Sequence, residues 1–144
     1  MVRRARPEDA KPIGDVFVAA RAGMTYLPRQ PSDDGFREFI AGEIMQRDEV
    51  WVAETDRRLV GFVTLEGELL DHIYVHPDAQ GQGTGATLLD VAKTRRPRGF
   101  HLSVFQKNEG ARRFYERHGL SLVELTDGQG NMEGEPDARY EWVP

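Results

Sequence analysis

The sequence predicts an α/β domain built on one mixed, twisted sheet with helices on both faces. Three observations carry that expectation. Apolar residues recur at helical spacing early in the chain and then at a spacing of two. An antiparallel hairpin signal precedes alternating strand-like and helix-like segments in the second half. A chain of 144 residues, 39% apolar and 30% charged, suits a single domain over residues 1–144 with one mixed core.

Taken in order, residues 2–5 read as a short strand. Pro7, Glu8 and Asp9 then open a helix, as proline and acidic groups favour a helix N-terminus. Its apolar face is Ile13, Val16, Phe17 and Ala20. Residues 23–31 form a loop, and Ser32 is placed to cap a second helix with the stripe Phe36, Phe39, Ile40 and Ile44. Residues 50–53 and 59–65 pair as a hairpin turning at Asp56-Arg57-Arg58. Residues 69–75 form a further strand, closed by Pro77, which cannot donate to a ladder. A helix over residues 85–94, a strand over 100–105 and a helix over 109–118 follow, the last ended by Gly119. Residues 120–125 and 139–143 are the last strands, and the Gly-, Asp- and Asn-rich loop between them is expected to be mobile or substrate-facing. The order is β-α-α-β-β-β-α-β-α-β-β, with no internal repeat and no interdomain linker.

Composition excludes several classes. No run approaches the roughly 20 apolar residues of a membrane span. The opening Met1-Val2-Arg3-Arg4-Ala5-Arg6 turns polar without a secretory apolar stretch. With no cysteine there is no disulfide framework, thiolate metal site or cysteine nucleophile. A cytoplasmic protein without a metal site is expected. The net charge of −5 argues against general nucleic-acid binding. Arg95, Arg96, Arg98, Lys107, Arg112, Arg113 and Arg117 form either a solvated basic face or a rim beside a bound polyphosphate.

The strand ending Ile73-Tyr74-Val75 is followed by His76-Pro77-Asp78-Ala79-Gln80-Gly81-Gln82-Gly83-Thr84-Gly85 and then a helix. Glycines at alternate positions let main chain approach a ligand closely. The helix start behind them offers unpaired N–H groups and a partial positive charge, a combination that binds phosphate oxygens. A P-loop would need Gly-Lys-Ser/Thr where Gly85-Ala86 stands. A dinucleotide fingerprint would need a different glycine spacing and an acidic residue ending the next strand, which instead ends Val104-Phe105-Gln106-Lys107.

This turn resembles the Q/R-x-x-G-x-G/A signature of the GNAT superfamily of N-acetyltransferases, with Gln80, Gly83 and Gly85 in the signature positions. Downstream, Asn108-Glu109-Gly110-Ala111-Arg112-Arg113-Phe114-Tyr115-Glu116-Arg117-His118-Gly119-Leu120 is similar to that family's N-x-x-A-x-x-F/L-Y-x-x-x-G-F/L segment. The one departure is Leu120 where phenylalanine is common. The element order fits over nearly the whole chain.

The resemblance implies acetyl transfer from acetyl-CoA to an amine, small molecule or peptide, by direct attack in a ternary complex. The alternative it leaves is an acyl-CoA-binding module without catalysis. Backbone N–H groups of Gln80, Gly81, Gln82, Gly83, Thr84 and Gly85 would cradle the coenzyme pyrophosphate. The main chain of Tyr74 and Val75 would bond the pantetheine arm, which requires the fourth and fifth strands to splay. Asn108 would touch the pantetheine or only cap the next helix. Tyr115 would touch the cofactor and protonate the departing thiolate; its alternative is core packing beside Phe114. The base is sought, in order, at Asp71, His72 and Glu68. Strand alternation places Asp71 on the face of Ile73 and Val75, and His72 on that of Tyr74. Acceptor contacts would come from Met24-Thr25-Tyr26-Leu27-Pro28, from Asn131-Met132-Glu133 and from Arg139-Tyr140-Glu141-Trp142, with Met24, Tyr26, Leu27 and Tyr140 foremost. The family often pairs through its last strands, so a homodimer is implied as well.

Overall fold

The computed structural model describes residues 1–27 and 32–144. The chain runs β1 (Val2–Arg4), a 3-10 turn (Pro7–Asp9), α1 (Ala10–Arg21), α2 (Asp33–Phe39), a π turn (Ile40–Ile44), α3 (Met45–Arg47), β2 (Glu49–Thr55), β3 (Arg58–Glu66) and β4 (Leu69–Val75). A second 3-10 turn (Pro77–Ala79) leads to α4 (Thr84–Arg95), β5 (Phe100–Phe105), α5 (Glu109–Arg117), β6 (Ser121–Leu125) and β7 (Asp137–Trp142). The expected element order holds throughout, with ends displaced by a few residues.

Local chemistry explains several boundaries. The Asp9 carboxylate accepts from the Arg6 N–H at 2.7 Å and from both Arg3 terminal nitrogens at 2.8 and 3.0 Å, tying β1 to the start of α1. Ser32 caps α2 by accepting from the Gly35 N–H at 3.0 Å. The stripe Phe36, Ile40 and Ile44 is buried, carried around through the π turn. Asp56 (φ 51°) and Arg57 (φ 65°) take the left-handed conformation that a two-residue hairpin turn demands.

Among the described residues seven strands lie in the order β1-β2-β3-β4-β5-β7-β6. All neighbours are antiparallel except β4 and β5, which run parallel. One face packs α1 and α2 around Ile13, Phe17, Ile40, Val52 and Phe62. The other packs α4 and α5 around Val63, Leu65, Leu88, Leu89, Leu102 and Tyr140.

The parallel pair determines the shape of the site. β4 and β5 are paired only at Leu69 and His101, where the His101 N–H donates to the Glu68 carbonyl at 2.9 Å. β5 is bound along its whole length by β7, from Phe100 against Trp142 to Phe105 against Asp137. β4 is bound along its length by β3. Each strand follows its own partner, so the sheet parts between them and the expected splay is present.

Candidate active site

A cleft of about 1210 Å³ opens where the two strands part. Its walls are residues 70–75 of β4 and residues 102–105 of β5, and its mouth is the glycine-rich turn with the start of α4. Gly81 (φ 80°) and Gly83 (φ 82°) are left-handed, a conformation that strains any residue with a Cβ. Gly83 is the residue that caps α4, and it has no side chain to offer the N–H groups of the helix start. The first N–H groups of an α-helix have no intrahelical partner, so those behind Gly83 face the mouth unpaired. Gly85 answers a different demand: a Cβ there would lie 3.4 Å from Phe114 Cζ, so it lets α5 close on α4. Gln80, Gly81, Gly83, Thr84 and Gly85 line the cleft, while Gln82 does not. Of the basic residues considered for a rim, Lys107, Arg113 and Arg117 line it. Arg95 and Arg96 instead hold Glu49 at 2.6 and 3.2 Å.

Inside the gap, register decides which main-chain groups are free. The His76 N–H donates to the Val60 carbonyl at 2.8 Å, so His76 faces β3. Antiparallel alternation then turns Tyr74, opposite Phe62, toward β3 as well, and turns Ile73 and Val75 toward the gap. This corrects one expectation: Val75 offers its main chain to the cleft, whereas the main chain of Tyr74 is spent on the ladder. The Gln80 side-chain amide reaches the Val75 carbonyl at 3.3 Å, so the signature glutamine braces the mouth.

Asn108 caps α5, its side chain accepting from the Ala111 N–H at 3.2 Å, and it also lines the cleft. Tyr115 lines the cleft from α5 with its ring centroid 5.5 Å from Phe114 and 6.0 Å from Tyr140. Burial, and secondarily the nearby Tyr74 hydroxyl, raises its phenol well above the usual tyrosine range. It is therefore protonated at neutral pH, as a proton donor must be.

The candidate bases depart from the expected alternation. β3 and β4 pair Thr64 with His72 but Leu65 with Leu70, leaving Asp71 as an extra residue in a β-bulge. The bulge puts Asp71 and His72 side by side, 3.6 Å apart, instead of on opposite faces. Asp71 accepts from Arg47 Nη2 at 2.8 Å. His72 lies among the rings of Phe17, Phe39 and Tyr74 at 5.5, 5.9 and 6.1 Å. Burial lowers its imidazole to about 4, so it is neutral at pH 7. Both residues line the cleft, and Glu68 is an exposed turn residue that does not.

At the far end the α1–α2 loop meets the β6–β7 loop. Met24 and Tyr26 line the cleft, and the Tyr26 ring sits edge-on to Phe105 at 5.8 Å. Asn131 and Glu133 line it from the opposite loop, which is braced where the Asn131 amide donates to the Glu135 carbonyl at 2.7 Å. Leu27 is buried outside the lining, and Pro28 lies outside the described residues. Tyr140, expected among the acceptor contacts, is fully buried on the α4–α5 face, where its hydroxyl donates to Glu116 and accepts from Arg112 Nε at 3.1 Å. Sequence reasoning passed over Arg21. Its guanidinium lies over Phe17, Phe36 and Phe105 at 5.5, 5.5 and 5.9 Å and meets Glu133 at 3.4 Å across the cleft. A basic residue in a last helical turn suits the helix dipole anyway, so its position alone carried no signal.

Comparison with known proteins agrees with this geometry. Residues 46–119 match the acetyltransferase (GNAT) domain family. Peptidyl-lysine N-acetyltransferase YjaB of Salmonella typhimurium is 35% identical over 126 residues, which cover 85% of this chain and 83% of that protein. Peptidyl-lysine N-acetyltransferase YiaC of Escherichia coli is 39% identical over 75 residues, 51% of each chain. The solution structure of apo-form YjaB from Escherichia coli superposes with a TM-score of 0.81 at 22% identity, covering 99% of this chain and 97% of that one. PaiA N-acetyltransferase from Thermoplasma acidophilum, solved in complex with coenzyme A, superposes with a TM-score of 0.77 at 20% identity over 100% and 98% of the two chains. With the glycine turn, the parted strands and these relatives in hand, the chain belongs to the GNAT family of acetyltransferases and is an N-acetyltransferase.

Proposed function

We propose that the chain transfers an acetyl group from acetyl-CoA to an amine, and that the acceptor class is the lysine side chain of a peptide or protein. The single observation that carries the first part is the parallel strand pair held at one point, with unpaired helix-start N–H groups at the open end. Buried main-chain groups left without partners are costly, so such a gap suits an occupant that bonds like a strand. The names of the relatives support the second part.

Acetyl-CoA supplies the activated thioester carbonyl. The N–H groups behind Gly83 hold the pyrophosphate, with Arg113 and Arg117 beside them. Ile73 and Val75 bond the pantetheine arm. The acceptor enters between Tyr26 and Glu133, where an acidic side chain and aromatic rings suit a cation on an aliphatic stem. Asp71, with neutral His72 beside it, takes the proton that the amine sheds as its nitrogen bonds to the carbonyl carbon. As the carbon–sulfur bond breaks, Tyr115 gives its proton to the thiolate. No cysteine is present to carry the acyl group on the protein, which favours direct attack. A homodimer belongs to the same reading, since β6 is an edge strand exposing Leu122, Val123 and Leu125. Light scattering that returned only the 16.3 kDa monomer across a wide concentration range would remove the dimer.

The test is thiol release on mixing the protein with acetyl-CoA and a panel of lysine peptides, free lysine, polyamines and aminoglycosides. Release with lysine peptides above the rate without acceptor is expected. If acetyl-CoA raises the melting temperature while no amine releases thiol, the protein is a binding module instead.

A further inference from the structure

The base pair Asp71 and His72 has a neighbour that nothing in the sequence singled out. Asp48 stands between α3 and β2, and its side chain is completely buried. Its Oδ1 accepts from Arg47 Nε at 2.9 Å, but its Oδ2 is buried with no hydrogen-bond partner among the described residues. Around the same guanidinium stand Glu66, with Oε2 2.9 Å from Nε, and Asp71, with Oδ2 2.8 Å from Nη2. Oxygens of the three carboxyl groups lie within 4.8 Å of one another. The guanidinium already occupies the cation's place among them, so an added metal ion would have to displace it.

One guanidinium cannot neutralise three carboxylates. Glu66 keeps 46% of its side chain in solvent, while Asp71 keeps 19% and Asp48 none. An ionised Asp48 would leave a charged lone pair buried and unmet, a costly arrangement. A proton on Oδ2 removes the charge and gives that oxygen something to donate. His72 on β4, beside Asp71, is itself acted on by Asp48 and Arg47 of this cluster and by Arg21 on α1 and Glu133 on the β6–β7 loop.

We propose that Asp48 and Asp71 hold one proton between them, Asp48 donating to Asp71 and so fixing the Asp71 carboxylate at the cleft beside His72. Asp48 is thus a positioning residue for the base, and this rests on the reading of Asp71 as that base. Burial first, and then the closeness of the Asp71 carboxyl, raises the Asp48 carboxyl, in agreement. With Arg47 positive and Glu66 negative, the cluster carries one net negative charge while it holds the single proton. Uptake of the acceptor's proton by Asp71 brings it to neutrality. Two carboxyls coupled this way titrate in two steps that belong to the pair.

Carboxyl ¹³C NMR on aspartate-labelled protein, followed against pH, tests this without any substrate. The Asp48 and Asp71 signals of the parent should titrate together in two separated steps. In Asp48→Asn, whose amide still donates, Asp71 should titrate in one step. In Asp71→Asn the Asp48 midpoint should fall by about one pH unit or more, since a neighbouring carboxylate is gone. The second variant decides the matter if the first does not fold. An Asp48 signal that titrates once, near the ordinary aspartate value of about 4, and does not move in Asp71→Asn overturns the proposal. For the positioning role, whereas Asp48→Asn keeps the donor, Asp48→Ala removes it and should raise the acidic limb of the kcat/KM profile by about one pH unit or more, with KM for acetyl-CoA unchanged. An unshifted limb refutes that role. If Asp71→Asn retains full turnover while the coupled titration is observed, Asp71 is not the base although the proton is shared.

Discussion

Replacing Gly83 by aspartate separates the claim about the coenzyme site from any claim about stability. A Cβ at this position meets nothing within 4 Å, so no steric clash arises. The backbone at φ 82° strains any side chain, at about 1–2 kcal/mol, and less for aspartate, which with asparagine tolerates this region better than most. At this chain length that corresponds to a fall in Tm of only a few degrees. The effect on binding is larger. The carboxylate would sit at the start of α4, competing for the N–H groups assigned to the pyrophosphate and repelling it. Two unit charges about 5 Å apart at an effective dielectric near 20 repel by roughly 3 kcal/mol, about a 10²-fold loss of affinity. Gly83→Ala carries the strain without the charge and should lose no more than about tenfold. Calorimetric titration with coenzyme A, alongside thermal melts, reads both quantities. A folded Gly83→Asp protein that binds coenzyme A like the parent would refute the reasoning.

Three further outcomes follow from the site. Tyr115→Phe should lower kcat on the order of 10²-fold while the Kd for acetyl-CoA stays within about threefold, and equal turnover would remove Tyr115 from the chemistry. His72 is held neutral by burial, with its value lowered from 6.5 to about 4, so its contribution to stability is present above pH 6.5 and is lost as pH falls toward 4. The stability difference between the parent and His72→Gln should therefore shrink by at most about 3 kcal/mol between pH 7 and pH 4, and a constant difference in chemical denaturation would contradict this. Phe62 is fully buried against Phe17 and Tyr74, so Phe62→Ala should cost about 3–5 kcal/mol in the same assay. A loss below 1 kcal/mol would mean that the α1–α2 face is not packed as described.

Much of this was legible because the relevant physics is local. Glycines before a helix, a proline closing a strand and a change of apolar period each act within a few residues, and they placed the turn and the element order, while the parting of β4 and β5 was expected only from the family resemblance. What was missed depends on register or on distant partners. Strand alternation failed at Asp71 because a bulge inserts one residue opposite β3, and neither Asp71 nor His72 announces it. The same register, invisible in the sequence, turned the main chain of Tyr74 away from the gap. Tyr140 is a different case. Ala138 and Tyr140 are buried while Arg139 and Glu141 are exposed, so the alternation across β7 carried the signal for a core position. Arg47 and Asp48 stand at a helix–strand junction, where charged residues are ordinary; only their partners Glu66 and Asp71, far along the chain, give them meaning.

The central claim is that the parted strands and the start of α4 together receive the coenzyme, and a crystal structure of the acetyl-CoA complex tests it most directly. The account predicts pyrophosphate oxygens within about 3 Å of the N–H groups behind Gly83, and a pantetheine arm bonded to the main chain of Ile73 and Val75. A coenzyme bound elsewhere, or strands β4 and β5 closed on each other in its presence, would contradict it.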